Sequence, residues 1–129
     1  MSEKPTMAQV ANPKTHYGNA KASTRHFITQ RLTGTLNVVF TLFFVWFVVS
    51  LAGADRAGMV AVVANPFVAI ALAALIVNVV VHMRNGMRDV LEDYFEGAQY
   101  RTLMAANTAF AVFIAVVVLG AIAKIVFWG

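Results

Sequence analysis

Thirteen consecutive residues hold most of the chemistry this chain can offer: His82-Met83-Arg84-Asn85-Gly86-Met87-Arg88-Asp89-Val90-Leu91-Glu92-Asp93-Tyr94. They follow directly on an apolar run, Pro66 to Val81. A histidine at the end of such a run is costly to keep there and calls for a reason. On a continuous helix at 100° per residue, Asn78, His82, Asn85, Gly86, Asp89 and Asp93 fall within roughly 60° of one direction. A polar stripe of this kind faces protein, water or a cofactor rather than lipid.

Each of these residues has a functional and a plain reading. A neutral imidazole inside a membrane bundle suits axial ligation of haem iron. The plain alternative is a histidine bonded to a neighbouring helix or sitting at the interface. The apolar part of the chain has no second histidine, so bis-histidine ligation needs one from a partner. Gly86 stands one turn from His82, and close approach by a flat ring or by another helix explains it equally well. Asp93 and Tyr94 lie eleven and twelve residues beyond His82, about 16–18 Å along a helix axis, and cannot share its first shell. There a tyrosine hydroxyl can donate to a quinone carbonyl and a carboxylate can orient its neighbours; the alternative is an interfacial Tyr with a solvated Asp. Arg31, with Arg25 and His26, can pair with haem propionates or lipid phosphates, or can be topogenic charge. Arg84 and Arg88 fall off the stripe and read as topogenic or headgroup-facing. The carboxylates Asp89, Glu92, Asp93 and Glu96 have no second titrating partner and no soluble cleft, so they do not make an enzyme site of their own. No nucleophile triad, phosphate loop or metal-hydrolase motif is present.

The elements that position these residues follow from hydropathy. The 129 residues are 60% hydrophobic and 12% charged, where a soluble domain carries about 25% charge. Most of the apolar residues lie in Leu32 to Ala52, Pro66 to Val81 and Leu103 to Ile122. About 20 apolar residues span a bilayer as a helix, and the second run reaches that length by including His82 to Gly86. The expected fold is an all-α membrane protein with three transmembrane helices, approximately 32–53, 66–94 and 101–127. These would pack with helices of partner subunits. Residues 1–22 read as a mobile cytoplasmic tail, and 23–129 as the anchor domain. Ser23 to Arg31 reads as a short interfacial helix. Thr33, Gly34, Asn37 and Thr41 mark a helix-contact face. Gly53 and Gly58 read as an outer loop, Asn65-Pro66 as a helix start, and Gly97 as the end of the second helix. The first apolar run begins too far from the N-terminus for a secretory signal, so an uncleaved protein is expected.

Charge sets the orientation. Lys4, Lys14, Lys21, Arg25, Arg31, Arg84, Arg88 and Arg101 lie on one side of the spans, and Arg56 and Lys124 on the other. The positive-inside rule places the N-terminus in the cytoplasm and the C-terminus outside. The net charge of +4 is therefore topological, and no nucleic-acid partner is expected. The chain has no cysteine, which excludes disulfides, thiolate metal sites, iron–sulfur ligation and covalent haem attachment by this chain.

At these residues the chain resembles the small hydrophobic membrane anchor subunit of succinate dehydrogenase, the D-subunit family. That family carries His, three residues, Gly-Met, then five residues to Asp-Tyr, which stands here as His82, Gly86-Met87 and Asp93-Tyr94. An arginine segment opening the first helix, His26 to Gly34 with Arg31, and the closing Trp128-Gly129 extend the likeness over roughly 23–129. The resemblance implies that His82 is an axial ligand to the iron of haem b, the other coming from a companion cytochrome b anchor subunit. It implies that Tyr94 hydrogen-bonds the ubiquinone head group with Asp93 beside it, and that Arg31 lies near the haem propionates. It further implies a respiratory complex II of the tricarboxylic acid cycle in a bacterial inner membrane, with the N-terminus cytoplasmic and the C-terminus periplasmic. In such a complex a flavoprotein subunit oxidises succinate and an iron–sulfur subunit passes electrons to quinone. A fumarate reductase anchor and a cofactor-free structural membrane protein are the alternatives. A transporter fragment would need broken helices at the midplane.

Overall fold

The computed structural model describes residues 20–129, with side chains from residue 22 onward; of the expected tail, 1–22, residues 1–19 lie outside the described residues. The described chain is helical throughout: α1 (Ala20–Leu51), α2 (Arg56–Ala64), α3 (Pro66–Tyr94) and α4 (Gly97–Trp128). Helices α1, α3 and α4 are long and apolar enough to cross a membrane. At 32, 29 and 32 residues they are about 48, 43 and 48 Å long, against about 30 Å of hydrocarbon. Each therefore has several turns to spare beyond the apolar layer.

Local chemistry sets most of the boundaries. The Asn65 side chain accepts from the amides of Phe67 (3.0 Å) and Val68 (3.4 Å), and Pro66 takes the first helical position. Proline is suited to that place because its missing N–H would go unused. Gly53, at φ 75°, makes the left-handed turn out of α1. The Asp55 carboxylate then accepts from the Gly58 amide at 2.8 Å and starts α2. The stretch read as an outer loop is thus largely a two-turn helix. Ser23 to Arg31 is not a separate interfacial helix either, since α1 runs through it without a break. Nor does Gly97 end a helix. Helix α3 stops at Tyr94, Phe95 and Glu96 are extended, and Gly97, at φ 59°, opens α4.

Helix α3 is the middle element: α1 packs on one side of it, α4 on the other, and α2 closes the Pro66 end against α4 and α3. Two kinds of contact hold the bundle. At the Pro66 end the core is apolar, with Phe47 of α1, Val63 of α2 and Leu72 of α3 at its centre and Phe43, Leu51, Ile122 and Ile125 packed around them. Towards the Tyr94 end the contacts are polar. Thr33, Asn78 and Asn85 are the buried polar residues among those described. Outside both zones the surface stays apolar: Phe27, Val38, Leu42, Trp46 and Val49 of α1 are all at least half exposed. Such a face meets lipid or other helices.

Candidate functional site

The polar stripe of α3 faces α1, and it meets a matching stripe there. His26 Nε2 pairs with Asp89 Oδ1 at 2.7 Å. One turn along, Gln30 Nε2 donates weakly to the His82 carbonyl at 3.4 Å and lies over Gly86. At the next turn Thr33 Oγ1 is 3.0 Å from His82 Nδ1. A turn further, Asn78 Nδ2 donates to Asn37 Oδ1 (2.6 Å) and to the Thr33 carbonyl (3.0 Å). Steps of three or four residues up α1 match steps of three or four down α3, as two antiparallel helices in one register require. Inside a membrane such bonds replace water that is absent.

His82 sits at the centre of this seam. Its ring lies against Gly34: a Cβ added there would stand 3.3 Å from His82 Cε1. Glycine at that position is what lets the imidazole lie close to the α1 backbone. Nδ1 is engaged by Thr33, whereas Nε2 makes no hydrogen bond among the described residues and is not sealed inside the chain. Among the described residues the buried side-chain polar atom without a partner is Gln30 Oε1. Gly86, for its part, makes room for the Gln30 side chain, 3.3 Å from where its Cβ would be. The neighbour over Gly86 is thus a side chain of α1.

An open groove of about 680 Å³ flanks the seam, with Thr33 and Asn78 at its base and Leu36, Phe40, Val77 and Val81 among its walls. It is apolar apart from those two residues. Among the described residues no three His, Cys, Asp or Glu side chains gather as a metal cluster. A metal at His82 would take one ligand from this chain. That donor set fits a haem iron, whose porphyrin supplies the equatorial ligands and whose second axial ligand can come from another chain.

Tyr94 ends α3 and is 78% exposed. Asp93 is exposed as well, and neither side chain makes a hydrogen bond among the described residues. They stand free about 16–18 Å along α3 from His82. Arg31 is also exposed; its guanidinium lies over the Phe27 ring, 5.2 Å from the centroid, and makes no hydrogen bond to His82 or α3. The sequence-selected residues thus form two places on one helix, with Arg31 on the neighbouring one.

The headgroup-facing alternative changes for Arg84, whose place among the topogenic charges is untouched. Arg84 is not a headgroup-facing charge: its Nε donates to Thr108 Oγ1 at 3.0 Å, and Asn107 Nδ2 donates to its carbonyl at 3.0 Å. It ties α3 to α4. Arg88 is held on its own helix by Glu92 at 2.7 Å, and Tyr100 donates to the same Glu92 oxygen at 3.3 Å. Sequence reasoning missed Gln30 as a partner of the stripe and missed the pairing of His26 with Asp89. The signal was present in the turn-by-turn spacing of His26, Gln30, Thr33 and Asn37.

No curated protein and no solved structure matches the chain. A family model does: residues 5–123 match that of the succinate dehydrogenase/fumarate reductase transmembrane subunit. With three apolar spans, the polar seam at His82 and a match over most of its length, the chain belongs to the succinate dehydrogenase/fumarate reductase transmembrane subunit family.

Proposed function

We propose that this chain is the haem- and quinone-binding anchor of a succinate–quinone oxidoreductase. It would pair with a companion cytochrome b anchor subunit and carry the iron–sulfur and flavoprotein subunits on its cytoplasmic side. The observation that carries this reading is His82. It is a histidine fixed between two membrane helices, with Nδ1 engaged and Nε2 without a hydrogen bond among the described residues, in a chain of this family. His82 lies about 24 Å along α3 from Pro66, within a hydrocarbon layer of about 30 Å. Haem b, when bound, supplies a one-electron carrier within the membrane.

The residues of this chain divide the work. His82 would hold the haem iron through Nε2. Arg31, whose guanidinium has no carboxylate partner among the described residues, can neutralise a propionate by charge-assisted hydrogen bonds. At the end of α3 the Tyr94 hydroxyl donates to a quinone carbonyl. Reduction of ubiquinone to the quinol consumes two electrons and two protons. The iron–sulfur subunit would deliver the electrons, and the water-facing end of α3 is open to protons. Asp93, exposed beside it, orients Tyr94 and its neighbours. In this reading that end lies on the cytoplasmic side of a bacterial inner membrane, with the C-terminus periplasmic; the asymmetry of Lys and Arg supports the orientation.

Replacing His82 by alanine in the intact complex tests the assignment. The b-type absorbance should be lost or altered in oxidised and reduced spectra. A bis-histidine spectrum unchanged by His82→Ala removes the residue from the site.

A further inference from the structure

Thr33 Oγ1 touches His82 and two carbonyls of its own helix. A threonine hydroxyl has one hydrogen to give and two lone pairs to receive. Thr33 Oγ1 is 2.7 Å from the Thr29 carbonyl and 3.3 Å from the Gln30 carbonyl, and neither can donate. The hydrogen therefore goes to the Thr29 carbonyl, the usual back-bond of a helical threonine. The remaining neighbour, His82 Nδ1 at 3.0 Å, then has to supply a hydrogen of its own. The opposite tautomer would forfeit the 2.7 Å bond and leave an Nε2–H without an acceptor among the described residues. Thr33 is 8% exposed, so water does not compete for its lone pairs.

We propose that Thr33 is a positioning residue: by accepting from Nδ1–H it fixes His82 in the tautomer whose Nε2 lone pair is free, and so sets how strongly His82 binds haem iron. The proposal rests on the reading of His82 as axial ligand. Acceptors behind a ligating histidine fix ring orientation and raise ligand basicity. Gly34 completes the support, since the ring edge at Cε1 lies against its bare Cα. Rotation of the imidazole is thereby limited from two sides.

Thr33→Val in the intact complex removes the acceptor and keeps the shape; Thr33→Ser keeps the hydroxyl. The haem is read by redox titration, by its low-spin electron paramagnetic resonance signal and by haem content. Thr33→Val should shift the midpoint potential and the resonance positions and weaken haem retention about ten- to a hundredfold. Thr33→Ser should restore the wild-type values. If Thr33→Val fails to assemble, Thr33→Ala makes the same removal with a good helix former. Loss of the haem in His82→Ala with an unmoved potential and signal in the hydroxyl-free variants overturns the proposal and leaves the ligand reading standing. An unchanged haem in His82→Ala overturns both.

Discussion

Tyr94 is the residue whose role separates most cleanly from its fold. It ends a helix, is largely exposed and has no hydrogen bond among the described residues. Removing its hydroxyl therefore disturbs no packing. A hydrogen bond whose loss leaves its partner unpaired costs roughly 1–3 kcal/mol, on the order of five- to a hundredfold in rate. Tyr94→Phe should slow ubiquinone reduction by that factor and leave the haem spectrum and succinate oxidation by a soluble acceptor intact. Equal ubiquinone activity in variant and wild type would make Tyr94 an interfacial anchor. The two glycines of the seam give a second contrast. A methyl at Gly34 meets a ring pinned by Thr33, whereas one at Gly86 meets the end of the flexible Gln30 amide. Gly34→Ala should change the haem potential; Gly86→Ala should leave it in place and gain up to about 1 kcal/mol of helix propensity. Equal potentials in the two variants would show that Gly34 does not seat the ring. The sequence disclosed His82 because an imidazole in an apolar run is costly. Gln30 was legible only through its turn-by-turn spacing with His26, Thr33 and Asn37, since its polarity alone, at the start of a span, looks like that of any interfacial side chain.

At the scale of elements, α1 and α3 are joined by side chains that each bond across the seam. Asn78 contributes two of these bonds from a buried position. Hydrogen bonds between membrane helices are worth about 0.6 kcal/mol on average and up to about 1.7. Asn78→Leu also leaves Asn37 Oδ1 without its donor. We expect a loss of about 1–2 kcal/mol, measured as a lower unfolding midpoint of the assembled complex in denaturing detergent. An unchanged midpoint would mean that the apolar core at Phe47, Val63 and Leu72 alone holds the two helices together. Element legibility followed local chemistry. Asn65-Pro66 was readable because the cap and the proline act on adjacent residues. Helix α2 was not, because two glycines near its start outweighed a single Asp55 cap whose acceptor role shows only in three dimensions. Arg84 was misjudged for a related reason. Its angle on α3 points off the polar stripe, but nothing in one helix shows that Thr108 and Asn107 of the next lie in that direction.

For the molecule as a whole, the class and the three spans were legible because hydropathy and length act on every residue of a run at once. The pairing of helices was not, because it depends on which polar groups find each other across the bundle. The antiparallel seam now puts the start of α1, the end of α3 and the start of α4 at one end. Arg25, Arg31, Arg84, Arg88 and Arg101 lie in those segments, while Arg56 and Lys124 line a common pocket at the other end. A cytoplasmic excess of Lys and Arg fixes topology when the charges lie within about 15–20 residues of the spans, as these do. Reversal would move the larger group across the membrane against that bias. It would also put Tyr94 on the periplasmic side, away from the iron–sulfur and flavoprotein subunits that the proposed function places in the cytoplasm. Reporter fusions at Ala11 and after Gly129 should therefore give opposite signals, cytoplasmic for the first and periplasmic for the second. The reverse pair would refute the orientation while sparing the three spans; identical signals would refute the spans themselves.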